Sequence, residues 1–235
     1  LSVLEIVNTD IWLYWTPIAA FSVGIHMILR RHAQNADSMI LPIAVALNGL
    51  GISEIYRLDL AEIAAGGENL FATKQVIWTC LAMAAAAAVI LYVPSHLFLK
   101  RYVYIAMFVG IALLLLPMLP FIGQTINGAR LWISLFGLTF QPGELAKIAL
   151  TIFFAGYLVA RRESLAIVGR KFLGVQIPRA RELGPILAIW AASLLVLVVQ
   201  RDLGTSLLYF GLFIVMIYVA TGRALYVGVG LGMFV

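Results

Sequence analysis

The stretch NGARLWISLFGLTFQPGELAK, residues 127–147, carries Arg130, Glu144 and Lys147 between two long apolar runs. A run of about 20 predominantly apolar residues can cross a bilayer as a helix. The flanking runs, roughly 102–122 and 141–160, meet that length. Ionisable groups at membrane depth are costly and usually face a cavity or a pathway. The placement of these three therefore frames both fold and function.

Outward from this stretch the chain keeps the same character. It has 235 residues, of which 63% are hydrophobic and 11% charged, with a mean hydropathy of +1.02. A soluble domain carries roughly 25% charged residues, so this composition implies an integral membrane protein. The apolar segments are unbroken and lack period-2 alternation, which favours helices over a barrel. The expected fold is all-α, a polytopic transmembrane helical bundle in a single membrane domain, 1–235. Seven spans are expected at roughly 12–29, 39–56, 76–93, 102–122, 141–160, 184–200 and 203–221, with the start of an eighth near 224. Leu1 is not a start methionine, and the final GVGLGMFV stops inside an apolar run. The chain is thus expected to be truncated at both ends. Glu5 and Asp10, rather than a positive segment, precede the first run, which argues against a cleavable signal peptide. Cys80 reads as a small apolar residue, and a lone thiol forms no internal disulfide.

Charge alternates along the connections. The loops near 30–38, 94–101, 161–183 and 222–223 hold eleven of the sixteen Lys and Arg but three of the eleven Asp and Glu. By the positive-inside tendency these loops are cytoplasmic and the N-terminal segment begins outside. A net charge of +5 distributed in this way is a topology signal, with no nucleic acid expected as a partner. The most basic loop, 161–183, either sets topology or lies along the anionic inner leaflet. Membrane lipids are the partners this composition does imply.

Within the central stretch, Gly128 permits a turn after Asn127, and Ser134 to Thr139 read as a short irregular or re-entrant connection. Pro142 suits a first helical turn, and Glu144 there complements the helix dipole. Gln141, Glu144 and Lys147 are spaced three apart and share one helical face. They form either a plain helix start with a self-neutralising ion pair or a charged patch facing the bundle interior. A second constellation, Gln200-Arg201-Asp202-Leu203-Gly204-Thr205, lies on the same side. Asp202 suits an ordinary N-cap, and it also suits an oriented acid. Were the two helices neighbours, Asp202 would approach Lys147 and Arg130 and build a mixed-charge cavity for a phosphate-bearing sugar ligand. Basic groups would hold phosphates, and a carboxylate would orient or deprotonate a hydroxyl. His26, His32 and His96 show no metal-ligand spacing, so no metal site is expected. Asn48 suits interhelical glue, and the acidic stretch from Glu54 to Lys74 reads as solvated. No phosphate-cradling glycine loop and no nucleophile elbow is present. No cofactor is identified, and a divalent cation stays open.

NGARLWI, QPGELAK and QRDLGTSLL resemble the signature stretches of the SEDS family (shape, elongation, division and sporulation), the RodA and FtsW type of bacterial membrane protein. There they usually read close to NGARRWI, QPSELAK and QPDLGTAL. LFATKQVIW and KRYVYIAMFVG add weaker similarity. The resemblance covers roughly 39–235, leaving 12–29 as an extra N-terminal span, and leans towards the RodA type. It implies a peptidoglycan glycosyltransferase of the bacterial cytoplasmic membrane. Such an enzyme polymerises lipid II, an undecaprenyl-pyrophosphate-linked precursor, on the outer face. It works with a class B penicillin-binding protein transpeptidase. The family's cavity residues carry over to Arg130, Glu144, Lys147 and Asp202, with Arg130, Gln141 and Lys147 expected to bind substrate. Glu144, Lys147 and Asp202 are expected to support catalysis, since the family's main aspartate would lie beyond Val235. Gly143 replaces the usual serine and Arg201 the usual proline. The residues alone leave two rivals standing: a lipid II flippase and a non-catalytic scaffold for the transpeptidase.

Overall fold

The computed structural model describes residues 3–67, 71–93, 95–135, 138–162, 171–172, 175–176, 180–222, 224, 227–228 and 231–232. The basic loop 161–183 and the eighth segment expected from 224 lie largely outside these residues. Contacts divide the chain into two units, Leu1–His96 and Leu97–Val235, taken here in turn.

The first unit holds helices α1 (Val3–His32), α2 (Ile40–Ala64) and α3 (Phe71–Tyr92). Tyr14, Ile18, Ile52, Ala72 and Val76 form its core. The Trp15 ring fills the space where Gly49 would carry a Cβ. Thr79 donates a 3.1 Å hydrogen bond to Asn48, the interhelical link expected of that amide. α2 runs well past the expected boundary at 56. Its last turns carry Arg57, Asp59 and Glu62, and apolarity alone could not follow a helix into charged residues. Asp59 corrects the expectation of a solvated acidic stretch. It is 2% exposed and accepts the Ala72 N–H at 2.7 Å. One of the first N–H groups of α3, which has no partner within its own helix, is thus satisfied from α2.

The second unit opens at Leu97, within a 3₁₀ segment (His96–Tyr102) that leads into α4 (Val103–Leu115) and a second 3₁₀ turn, Leu116–Met118. Strands β1 (Gly123–Ile126), β2 (Ala129–Leu135) and β3 (Leu138–Phe140) follow as an antiparallel sheet in the order β1-β2-β3. The long elements are helical, as expected of an all-α membrane protein, whereas this sheet corrects the irregular connection expected at 134–139. The cause lies in Asn127 and Gly128, which adopt φ 52 and 81. Two consecutive positive φ values make the Asn-Gly hairpin turn whose twist matches the flanking strands, and Ile126 pairs directly with Ala129. Helices α5 (Pro142–Ala160), α6 (Ala180–Val199) and α7 (Leu203–Thr221) complete the unit, with a short β4–β5 pair (Lys171–Phe172, Val175–Gln176) before α6.

The core of this unit is aromatic. Trp190 of α6 stacks on Phe213 of α7 with centroids 4.7 Å apart. Phe154 of α5 meets the same ring edge-on at 5.3 Å. α4 and α5 approach closely through glycines: a Cβ on Gly110 would strike Leu150, and one on Gly156 would strike Val103. Small residues allow this kind of approach where lipid gives helices no hydrophobic reason to associate.

Among the described residues, five segments are long and apolar enough to cross a membrane: Trp12–His32, Phe71–Tyr92, Leu97–Met118, Pro142–Ala160 and Leu203–Thr221. The chain is a polytopic helical membrane protein. Gly156→Val should lower the thermal unfolding midpoint of the detergent-solubilised protein, since overpacking costs about 1–3 kcal/mol. Gly211→Ala, whose Cβ would meet nothing within 4 Å, should not lower it. Equal midpoints for Gly156→Val and the parent would refute the tight α4–α5 seam.

Candidate functional site at the start of α5 and α7

Gln141 is the N-cap of α5, with extended backbone angles, and Pro142 and Gly143 behind it are buried. Glu144 and Lys147 pair across one turn, Oε2 to Nζ, at 2.7 Å. Their side chains are 53% and 25% exposed. So open a pair stabilises a helix by at most about 1 kcal/mol, and stability gives little reason for its presence.

Asp202 is the N-cap of α7, as its position suggested. Its Oδ1 accepts the Thr205 N–H at 2.9 Å, and its carbonyl accepts the Ser206 hydroxyl at 2.6 Å. Asp202 is also held from α5. Gln141 Nε2 donates to Oδ2 at 3.5 Å, at the long limit of a hydrogen bond. Deeper between the same helices, the Tyr209 hydroxyl donates to the Gly143 carbonyl at 3.3 Å. Tyr209 is 2% exposed, so this bond is made away from water.

The approach to Asp202 is fixed by the end of α6. Arg201 takes the left-handed conformation, φ 61. The Asp202 N–H then reaches the Leu197 carbonyl at 2.9 Å and the Arg201 N–H reaches Val198 at 3.0 Å. These two bonds are the paired arrangement of a Schellman stop, usually completed by glycine. Gln200, 4% exposed, donates to the Leu114 carbonyl at 2.5 Å and so ties this stop to the end of α4.

The structure thus brings Gln141, Glu144, Lys147 and Asp202 to the starts of two neighbouring helices. It does not join them as expected. The partner of Asp202 is Gln141. Among the described residues no ion pair links Asp202 to Lys147, Arg130 or Arg201. Arg130 instead braces the hairpin: Nη2 donates to the Leu119 carbonyl at 2.9 Å, and Nε is buried without a partner among the described residues. Gly123 leaves it room, because a Cβ there would meet both the Pro117 carbonyl and Arg130 Nε. Tyr209 and Gln200 are the contributors that sequence reasoning did not assign. The available signal was a polar group at an apolar run: Tyr209 lies between Leu208 and Phe210, and Gln200 follows the run that ends at Val199. Two helix N-termini, each with partial positive charge, here share one end with two carboxylates and one ammonium. Such a set can hold an anionic group near Lys147 while keeping hydrogen-bond acceptors at Glu144 and Asp202. Cavities of about 380, 460 and 400 Å³ lie elsewhere, and none is lined by these four residues.

Comparison with known proteins places these motifs. The FtsW/RodA/SpoVE family model, described as "Cell cycle protein", matches residues 38–235. A peptidoglycan glycosyltransferase RodA of Mycobacterium tuberculosis is 41% identical over 211 residues, covering 89% of this chain and 45% of that protein. The RodA of Mycobacterium leprae is 40% identical over 223 residues, covering 94% and 46%. A crystal structure of the Thermus thermophilus rod shape determining protein RodA aligns at 24% identity with a TM-score of 0.38, covering 92% of this chain and 56% of that one. The chain spans about half the length of the curated relatives it matches.

Asp202→Ala should lower the unfolding midpoint, with about 1 kcal/mol lost from the cap, whereas Asp202→Ser should recover most of it. Gly143→Ser should be tolerated, because a Cβ there meets only the Gln141 side chain at 4.0 Å. An Asp202→Ala midpoint equal to that of the parent would remove the cap from this account.

Proposed function

The chain belongs to the FtsW/RodA/SpoVE family, and from that membership we propose that it acts as a peptidoglycan glycosyltransferase of the elongation type. It would join lipid II disaccharide units into glycan strands for cell-wall growth and shape. The whole protein would cross the bacterial cytoplasmic membrane with seven spans and the start of an eighth in this portion. Residues 12–29 would be an added span before a core at 39–235. The starts of α5 and α7 would face outside, with a class B penicillin-binding protein as transpeptidase partner.

The observation that carries this proposal is the ion pair Glu144–Lys147 beside the doubly held Asp202 at the α5–α7 start. Transfer from a lipid-linked pyrophosphate donor builds negative charge on the leaving group. A fixed cation placed at that charge stabilises the transition state. Lys147 would supply it, with Glu144 holding the ammonium in place until the pyrophosphate displaces or shares it. Gln141 would orient polar groups of the donor while steadying Asp202. Two of the acceptor sites on Asp202 are occupied, one by the cap and one by Gln141. A positioning role suits it better than that of the base that deprotonates the acceptor hydroxyl. Arg130 would act on substrate only by releasing Leu119; otherwise it shapes the hairpin above the site.

In vitro polymerisation of lipid II by the complete protein with its partner tests this. Glu144→Ala and Asp202→Ala, at equal expression and folding, should each lower glycan yield at least tenfold. Undiminished yield in both would sink the site assignment. Movement of labelled lipid II across vesicles with no polymer formed would favour a flippase.

A further inference from the structure

We propose that the end of the first unit where α1 gives way to α2 binds a phospholipid with a zwitterionic, primary-amine headgroup, phosphatidylethanolamine. Two adjoining spaces make the site. A polar hollow of about 220 Å³ lies at the turn between the two helices, lined by His26 and Arg30 of α1 and by Gln34, Asp37 and Ser38 of the turn. An apolar cleft of about 380 Å³ opens between α1, α2 and α3. Asp37 lines both spaces, as do Leu29, Ala36 and Leu41. Along α2 the cleft reaches down to Asn48, which accepts the hydroxyl of Thr79 on the facing helix.

Charge, depth and shape point to this occupant together. The charges in the hollow are opposite and unpaired. Arg30 and Asp37 line the same space, yet among the described residues neither forms an ion pair. Asp37 Oδ1 accepts the Met39 N–H at 2.9 Å, and Oδ2 has no partner among the described residues. Opposite charges held apart in one hollow suit a ligand that carries both signs a short carbon link apart. A guanidinium takes a phosphate with its fork of donors, and a carboxylate accepts from ammonium N–H groups. His26, one turn before Arg30, puts a ring nitrogen on the same face of α1. Both Arg30 and Asp37 are exposed, as a lipid headgroup requires. The depth agrees. α1 is long and apolar enough to span the membrane from Trp12 to His32, so Arg30, in its last turn, lies where a crossing helix meets the headgroups. The cleft supplies the shape. α2 follows it from Ile40 to Asn48, about 12 Å at the helical rise, and Ile25, Val45, Met83 and Ile90 give it alkyl walls. An acyl chain that leaves the headgroup beside Asp37 has an apolar track of that length, which a soluble phosphate would leave unused.

The test is native mass spectrometry of the full-length protein in detergent with phosphatidylethanolamine, phosphatidylcholine or phosphatidylglycerol of the same acyl chains at matched concentrations. Phosphatidylcholine keeps both charges but has no ammonium N–H to donate. Wild type should therefore retain phosphatidylethanolamine about fivefold better, the most an exposed ion pair supplies. D37N keeps the acceptor for Met39 and should lower phosphatidylethanolamine retention about fivefold while leaving phosphatidylcholine unchanged. R30Q should weaken both lipids about equally, because both carry the phosphate. A44F, which fills the cleft and leaves the charges in place, should weaken both as well. E54Q/R57Q, which removes the exposed ion pair in later turns of α2, should change neither by more than about twofold. Equal retention of phosphatidylethanolamine and phosphatidylcholine by wild type would overturn the proposal. Stronger retention of phosphatidylglycerol would overturn it in favour of diffuse attraction to basic residues. Displacement by millimolar phosphoethanolamine, with A44F binding as wild type does, would overturn it in favour of a soluble-ligand site. Retention of no lipid by the full-length protein would show the cleft covered by the rest of the chain and overturn it outright.

Discussion

The carboxylate of Asp202 is the point on which the second unit turns. The first N–H groups of a helix have no partner within it. Asp202 answers one of those N–H groups with Oδ1 and takes the Gln141 amide with Oδ2. One side chain therefore starts α7 and ties it to the start of α5. Once that register is set, Tyr209 arrives about two turns later against the Gly143 carbonyl. Phe213 arrives one turn further on, between Phe154 and Trp190. The polar bonds are few and long, so the aromatic contacts supply most of the hold. The hydrogen bonds decide which faces meet.

Charge is distributed at this end by a different logic from that of packing. Arg130 is committed to the backbone at Leu119, whose carbonyl also accepts the Ile122 and Gly123 N–H groups at this chain reversal. Among the described residues Lys147 is committed to Glu144 alone, by a bond any anion could compete with. The two cations of the opening motif thus differ in availability. Arg130 is structural in this arrangement, whereas Lys147 has a partner that can be exchanged. An ion pair that adds little to stability, placed where two helix dipoles add their positive ends, suits ligand binding better than scaffolding.

Much of the fold could be read from composition and the lengths of apolar runs, since membrane spans obey a length rule that a sequence displays directly. Asn127-Gly128 was legible as a turn, yet the sheet it closes was not. Strand β2 does alternate, Arg130, Trp132 and Ser134 against Leu131, Ile133 and Leu135, but the run is short and is lost between two long apolar segments. The boundary of α2 failed for the opposite reason: Asp59 and Glu62 looked like the end of a span, although a helix can continue after its apolar stretch ends. The burial of Asp59 depends on the N–H of Ala72, and no local pattern announces a partner across a loop. At the candidate site the residues were legible and the pairing was not. Spacing put Gln141, Glu144 and Lys147 on one face. Only the packed structure shows that Asp202 meets the amide rather than the ammonium.

Gln200-Arg201-Asp202 shows how three residues can couple four helices. Gln200 binds the Leu114 carbonyl at the end of α4, Arg201 stops α6, and Asp202 starts α7 and holds α5. The left-handed turn at Arg201 makes this possible, because it reverses the chain without a loop between α6 and α7. An arginine in that conformation costs roughly 1–2 kcal/mol relative to glycine. A proline, usual in the family at this position, is locked near φ −65° and cannot adopt it at all. This chain therefore reaches the same acid by a different turn. The strain sits within one residue of the carboxylate, where a small change in the turn moves Oδ2 relative to Gln141. A contact already at 3.5 Å is sensitive to such a shift. The geometry of the candidate site is thus set as much by how α6 ends as by the helices that carry its residues.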